Sequence, residues 1–144
     1  MLFRSQFSTT ATLLRKAEFE RKLAAKEKFS FGEMNTFCGN AKVLSADPQF
    51  KEWVNTIFPL AMNFIKENEV NDPSPNYAYW QSNYGCYLWQ NGEKQKGEDL
   101  LRIVKEKCNH PDNAGILDDL KDTIDAFIKD NNIKIEIPAS AQKV

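Results

Sequence analysis

Apolar residues recur at three- and four-residue spacing in four stretches of this chain, and each stretch is bounded by residues that start or stop helices. Asp47-Pro48 pairs an N-capping side chain with a proline at the first helical position, where its missing N–H costs nothing. The stripe that follows is Phe50, Trp53, Val54, Ile57, Phe58, Ala61, Phe64 and Ile65, which predicts a helix ending near Glu69. Pro59 falls inside it and should kink or divide it. Ser74-Pro75 repeats the cap-plus-proline signal for a helix whose inward face is Tyr77, Trp80, Tyr84, Tyr87 and Leu88. Asn91-Gly92 stops that helix. The next runs from about Glu93 to Lys107 and buries Leu100, Leu101, Val104 and Cys108. After His110-Pro111, a start at Asp112 or Asn113 leads into the cleanest stripe, Leu117, Leu120, Ile124, Phe127 and Ile128.

The flanks read differently. Arg15 to Lys28 is a highly charged helix with a thin apolar stripe, and Phe29 to Leu44 loses periodicity among Gly32, Gly39 and several Asn and Ser. That second segment is expected to be a linker or extended arm whose Phe29, Phe31 and Phe37 are buried against something, with Phe29 and Phe31 as candidates for contact with a partner. Beyond Asn131-Asn132, Ile133, Ile135 and Ile137 alternate with charges as a short strand would. A lone strand is unstable, so this arm either packs on the helices or adds to a partner's sheet edge. The chain therefore divides into an N-terminal segment 1–17, a charged helix and linker 18–45, a helical domain 46–130 and a C-terminal arm 131–144. The fold class is all-α: a small antiparallel bundle with extended arms at both ends.

The stretch from Tyr77 to Lys107 resembles a tetratricopeptide-type hairpin. Tyr84-Gly85 takes the aromatic–glycine pair, Leu88 the large position, Gly92 the turn, and Gly97, Leu101 and Val104 the second helix, with Pro111 as a late closing proline. The resemblance implies that Gly85 and Gly97 let two antiparallel helices approach closely. It covers about thirty residues, with glycine where the family usually has alanine and no second copy. The family's peptide groove is not carried over, because a single unit has no useful concave surface.

Charge and composition change the picture at the N-terminus. Met1 to Ala17 contains no Asp or Glu but has Arg4, Arg15, Lys16 and five hydroxyl side chains, the signature of a mitochondrial targeting segment. Residues 1–28 carry a net charge of +4 and the remainder −5, so nucleic-acid phosphates are not an expected partner. The longest apolar run, Ile57 to Met62, is far too short for a membrane-spanning helix.

No residue pattern in the sequence marks catalytic, cofactor or metal chemistry. His110 with Cys108 and Cys86 lacks a fourth zinc ligand and the usual ligand spacing. Cys86 has no evident base, and the row Asp118, Asp119, Asp122 and Asp125 reads as a solvated helix face. Six Tyr and Trp residues between Tyr77 and Trp89 are too many for one core. Tyr79 and Trp89 fall off the inward stripe and are candidates for contact with a partner protein or lipid headgroups, or for covering a second local core. These features imply a non-enzymatic accessory subunit of a respiratory-chain or ATP synthase complex, on the matrix side or peripheral to the inner membrane, bound to other protein subunits. A mitochondrial ribosome-associated subunit and a small helical-repeat assembly factor are the alternatives.

Overall fold

A computed structural model describes residues 2–135, with side chains from Thr10 onward. The described chain is all-α: α1 Leu2–Ala24, α2 Phe31–Leu44, a 3-10 turn Pro48–Phe50 leading into α3 Lys51–Asn68, α4 Asn76–Gln90, α5 Lys94–Asn109, a 3-10 turn Pro111–Asn113, and α6 Asp118–Asp130. It forms two compact units, Met1–Ile57 and Phe58–Val144, and α3 crosses the boundary between them.

The first unit corrects two expectations. No extended arm occupies its N-terminal side, since the backbone is helical from Leu2 to Ala24. The expected linker at 29–44 is instead α2, started by a capping box: Ser30 Oγ accepts from the Glu33 amide at 3.1 Å, and the Glu33 carboxylate accepts from the Ser30 amide at 2.9 Å. Met34, Phe37, Cys38 and Ala41 form its buried stripe. Phe19 of α1 is the centre of an aromatic cluster, stacked on Phe29 at 5.2 Å and edge-on to Phe37 at 5.1 Å and Trp53 at 6.2 Å. The burial of these rings overrides the weak helix propensity of a segment holding two glycines. Lys22 also bridges the two helices, its ammonium donating to both Glu33 oxygens at 2.6 and 2.7 Å.

In the second unit, α4 and α5 form an antiparallel hairpin: Gly97 lies beside Trp89, and Lys107 reaches Gln81. The turn between them uses Gly92 at φ +92°, in the left-handed region. Ala78, Leu101, Val104, Leu117, Leu120 and Ile124 make the core with α6. A second aromatic group joins α3 to α4, with Phe58 stacked on Tyr84 at 5.0 Å and Phe64 edge-on to Trp80 at 5.8 Å.

Two further expectations are narrowed and one is corrected. Of the kink or division expected at Pro59, there is no division: α3 runs through it, because Ile57, Phe58, Ala61 and Ile65 around it are all buried and their packing outweighs the lost backbone bond. The last helix begins at Asp118 rather than Asp112 or Asn113, since Gly115 at φ +78° breaks the path after the 3-10 turn. Of the two places expected for the C-terminal arm, packing on the helices is the one found for Ile133 and Ile135, with no strand among the described residues. Asn132 at φ +54° turns the chain, and Ile133, only 7% exposed, packs into the unit's own core with Ile135 half-buried beside it. Ile137 lies outside the described residues.

Candidate functional site

The second unit carries a cleft of about 590 Å³. Glu69 at the end of α3 and the Pro73-Ser74-Pro75 loop form one lip, α4 contributes Ala78 to the floor, α5 contributes Ile103, Glu106 and Lys107, and the segment that follows contributes His110, Asp112, Asn113 and Leu117. The loop geometry follows from its composition. Proline fixes the backbone before α4, and Ser74 Oγ accepts from the Asn76 amide at 3.2 Å. His110 Nδ1 accepts from the Asp112 amide at 3.1 Å, capping the 3-10 turn and leaving Nε2 as the ring's donor when the imidazole is neutral.

Lys107 pins the cleft. Its ammonium donates to Glu69 Oε2 and to Gln81 Oε1, both at 2.6 Å, while Asn113 Nδ2 donates to the Lys107 carbonyl at 2.8 Å. Glu69, Gln81, Lys107 and Asn113 thereby tie the end of α3, α4, α5 and the following turn together. With its ammonium committed to these acceptors, Lys107 acts as a structural tie. Behind it, Ala78 and Leu117 are core residues, each 1% exposed, so the floor is rigid and apolar. Ile103 on the wall is 41% exposed. Glu106 and Asp112 add carboxylates to the rim. Such a surface binds an apolar group through its floor and a donor or cation through its rim.

The residues singled out from the sequence are distributed elsewhere. Tyr79 is exposed, as its position off the stripe implied. Trp89 is half-buried against the unit's own core, edge-on to Phe127 at 6.0 Å and covered by Lys94, whose ammonium lies 4.9 Å from the ring centroid. Phe29 is half-buried in the aromatic cluster of the first unit, and Phe31 is half-buried on α2. Phe29, Trp89, Ile133 and Ile135 therefore find local packing rather than standing free for a partner. Tyr84, Gly85, Leu88, Gly97, Leu101 and Val104 sit within the α4–α5 hairpin. A Cβ on Gly97 would come within 2.7 Å of the Gly85 carbonyl oxygen, so the two backbones touch as the glycines implied.

The cleft residues themselves were not singled out from the sequence. Ile103 lies off the Leu101–Val104 stripe, but a single apolar residue on a polar face is ordinary and gave no signal.

The thiols are dispersed. Burial pushes the Cys38 thiol up to about 12, and burial followed by the charge of Asp125 raises that of Cys108. Among the described residues no group of three or more His, Cys, Asp or Glu side chains converges. No helix among them is long and apolar enough to cross a membrane. No family model, curated protein or solved structure matches the chain.

Proposed function

We propose that this chain is a non-catalytic accessory subunit of a mitochondrial inner-membrane complex, of the respiratory chain or the ATP synthase, held by contacts with neighbouring protein subunits. The observation that carries the reading is the N-terminal segment. The first seventeen residues hold no carboxylate and carry Arg4, Arg15 and Lys16, and from Leu2 onward they lie on one continuous helix. A positive helix of this kind suits both an import receptor and an electrical potential, negative inside, that draws cations inward. The cleft supports the second half of the reading, because its apolar floor and exposed Ile103 favour binding over proton transfer. The α4–α5 hairpin is the tetratricopeptide-like element of this subunit, a reading supported by the contact between Gly85 and Gly97.

The test is expression of the full chain with a C-terminal tag in its own cells, followed by subfractionation and blue-native electrophoresis. The expected result is mitochondrial recovery, release from the membrane by carbonate, and migration in a large complex at fixed ratio to known subunits. A cytosolic protein, or a mitochondrial one migrating alone, overturns the reading.

A further inference from the structure

We propose that the cleft between the Pro73–Pro75 loop and α5 receives a short segment of a partner polypeptide that carries an apolar side chain flanked by Lys or Arg. The inference rests on the reading of the chain as a subunit and names the chemistry of what it binds.

The apolar half of the argument comes from the floor. Ala78 and Leu117 belong to the core of the unit and cannot retract, and Ile103 stands half in solvent at the edge of that floor. A volume of about 590 Å³ falls within the span of sites that enclose specific groups. An aliphatic side chain inserted there covers Ile103 and displaces water from an apolar base.

The charge comes from the rim. Glu69, Glu106 and Asp112 supply three carboxylates, and Lys107 is the single lysine or arginine among the described residues that line the cleft. Lys107 is spent on Glu69 at 2.6 Å and gives a further proton to Gln81. Glu106 forms no ion pair with Lys or Arg among the described residues, and Asp112, its side chain 88% exposed, has His110 Nδ1 at 3.7 Å and neither Lys nor Arg. The rim therefore repels phosphates and acidic segments and attracts cationic ones. An apolar floor flanked by two such carboxylates calls for both features in one ligand, and a polypeptide presenting Leu or Ile between basic residues supplies them.

The experiment uses the full chain and a fluorescein-labelled peptide with a central leucine and arginine on each side, titrated by fluorescence anisotropy. Its counterpart has glutamate in place of arginine. The expected result is saturable binding of the arginine peptide alone, weakened about tenfold or more by Ile103→Asp and by the double variant Glu106→Lys, Asp112→Lys. The variants should keep the wild-type melting curve, since the changed side chains are at the surface, and Tyr79→Ser outside the cleft should bind as wild type does. Equal binding of the two peptides, indifference to both cleft variants, or displacement by an equal concentration of free butylamine overturns the proposal. The two readings fail separately. A chain that binds the peptide but migrates alone in mitochondria loses its place as a subunit. A Glu106→Lys, Asp112→Lys chain that still assembles in full ratio removes the cleft from the interface.

Discussion

Replacing Gly97 by alanine tests the packing of the α4–α5 hairpin more directly than any other single change. In an exposed helix the substitution would stabilise by about 1 kcal/mol, because alanine loses less backbone freedom on folding. Here the new Cβ would stand 2.7 Å from the Gly85 carbonyl oxygen, 2.8 Å from the Trp89 amide nitrogen and 2.9 Å from Trp89 Cβ. Comfortable contacts between such atoms are roughly 3.5 Å or more. None of the three belongs to a flexible side-chain end, so no change of rotamer relieves the clash. The helices must part by several tenths of an ångström, which loosens Leu101 and Val104 in the fully buried interior. Overpacking of this kind costs about 1–3 kcal/mol, and the loosened contacts add to it. After subtracting the propensity gain, Gly97→Ala should lose about 1–2 kcal/mol. That corresponds to a melting temperature lower by roughly 4–10 °C in a unit of this size.

Two companion substitutions set the scale. Gly39 lies inside α2 with nothing within 4 Å of an added Cβ, so Gly39→Ala should gain about 0.5–1 kcal/mol. Gly85→Ala would bring Cβ to 3.2 Å from Leu100 Cβ and from Leu101 Cγ and Cδ2, which can yield in part, and should fall between the other two. Urea unfolding followed by circular dichroism and tryptophan fluorescence gives the order. A Gly97→Ala protein as stable as the wild type refutes the reasoning, because the backbones could not then be in contact.

Other outcomes follow from the same contacts. The Lys22 ammonium, and after it the Ser30 amide, holds the Glu33 carboxyl below its ordinary value of 4.5. A lowered value in the folded state means stabilisation that is complete above about 4.5 and lost as pH falls from there through the folded value. The melting temperature of wild type should accordingly fall more steeply than that of Glu33→Gln on acidification below about 4.5; parallel curves would remove the Lys22–Glu33 contact from the account. Cys38 is buried and its thiol is raised to about 12, so at neutral pH N-ethylmaleimide should label it more slowly than Cys108, as peptide mass mapping over time would read. Labelling of Cys38 first would contradict its burial. Ile133→Ala should destabilise the isolated chain by about 2 kcal/mol in urea, since Ile133 fills the core of its own unit. No change would instead return Ile133 to the surface as a free arm.

The beginnings of α3 and α4 were legible because capping chemistry is local. Asp47-Pro48 opens the turn into α3, with the Asp47 carboxylate accepting from the Gln49 amide at 3.1 Å, and Ser74-Pro75 opens α4. The stripe Leu117, Leu120 and Ile124 points inward as its period required. The α2 helix was missed although its signals were present. Ser30 and Glu33 form a capping box, and Met34, Phe37, Cys38 and Ala41 keep helical spacing, but two glycines and several polar residues masked the stripe. The expectation that the helices could not cover their own aromatic residues was also too severe. Phe19, Phe37, Phe50, Trp53, Phe58, Tyr77, Trp80 and Tyr87 are all buried. Surface capacity depends on how rings interlock between helices, which spacing along one helix does not reveal.

By itself the sequence determined what neighbours within a turn of helix can decide: the all-α class, the caps, the turn at Gly92, the inward stripes and the acid-free N-terminal segment. The tertiary structure alone decided the cleft and its tie. Lys107 meets Glu69 across 38 positions and Gln81 across 26, and Trp89 turns from candidate surface to local core once Phe127 arrives beside it. Capping and periodicity act over three or four residues, whereas the meeting of distant side chains is set by which helices fill each other's space.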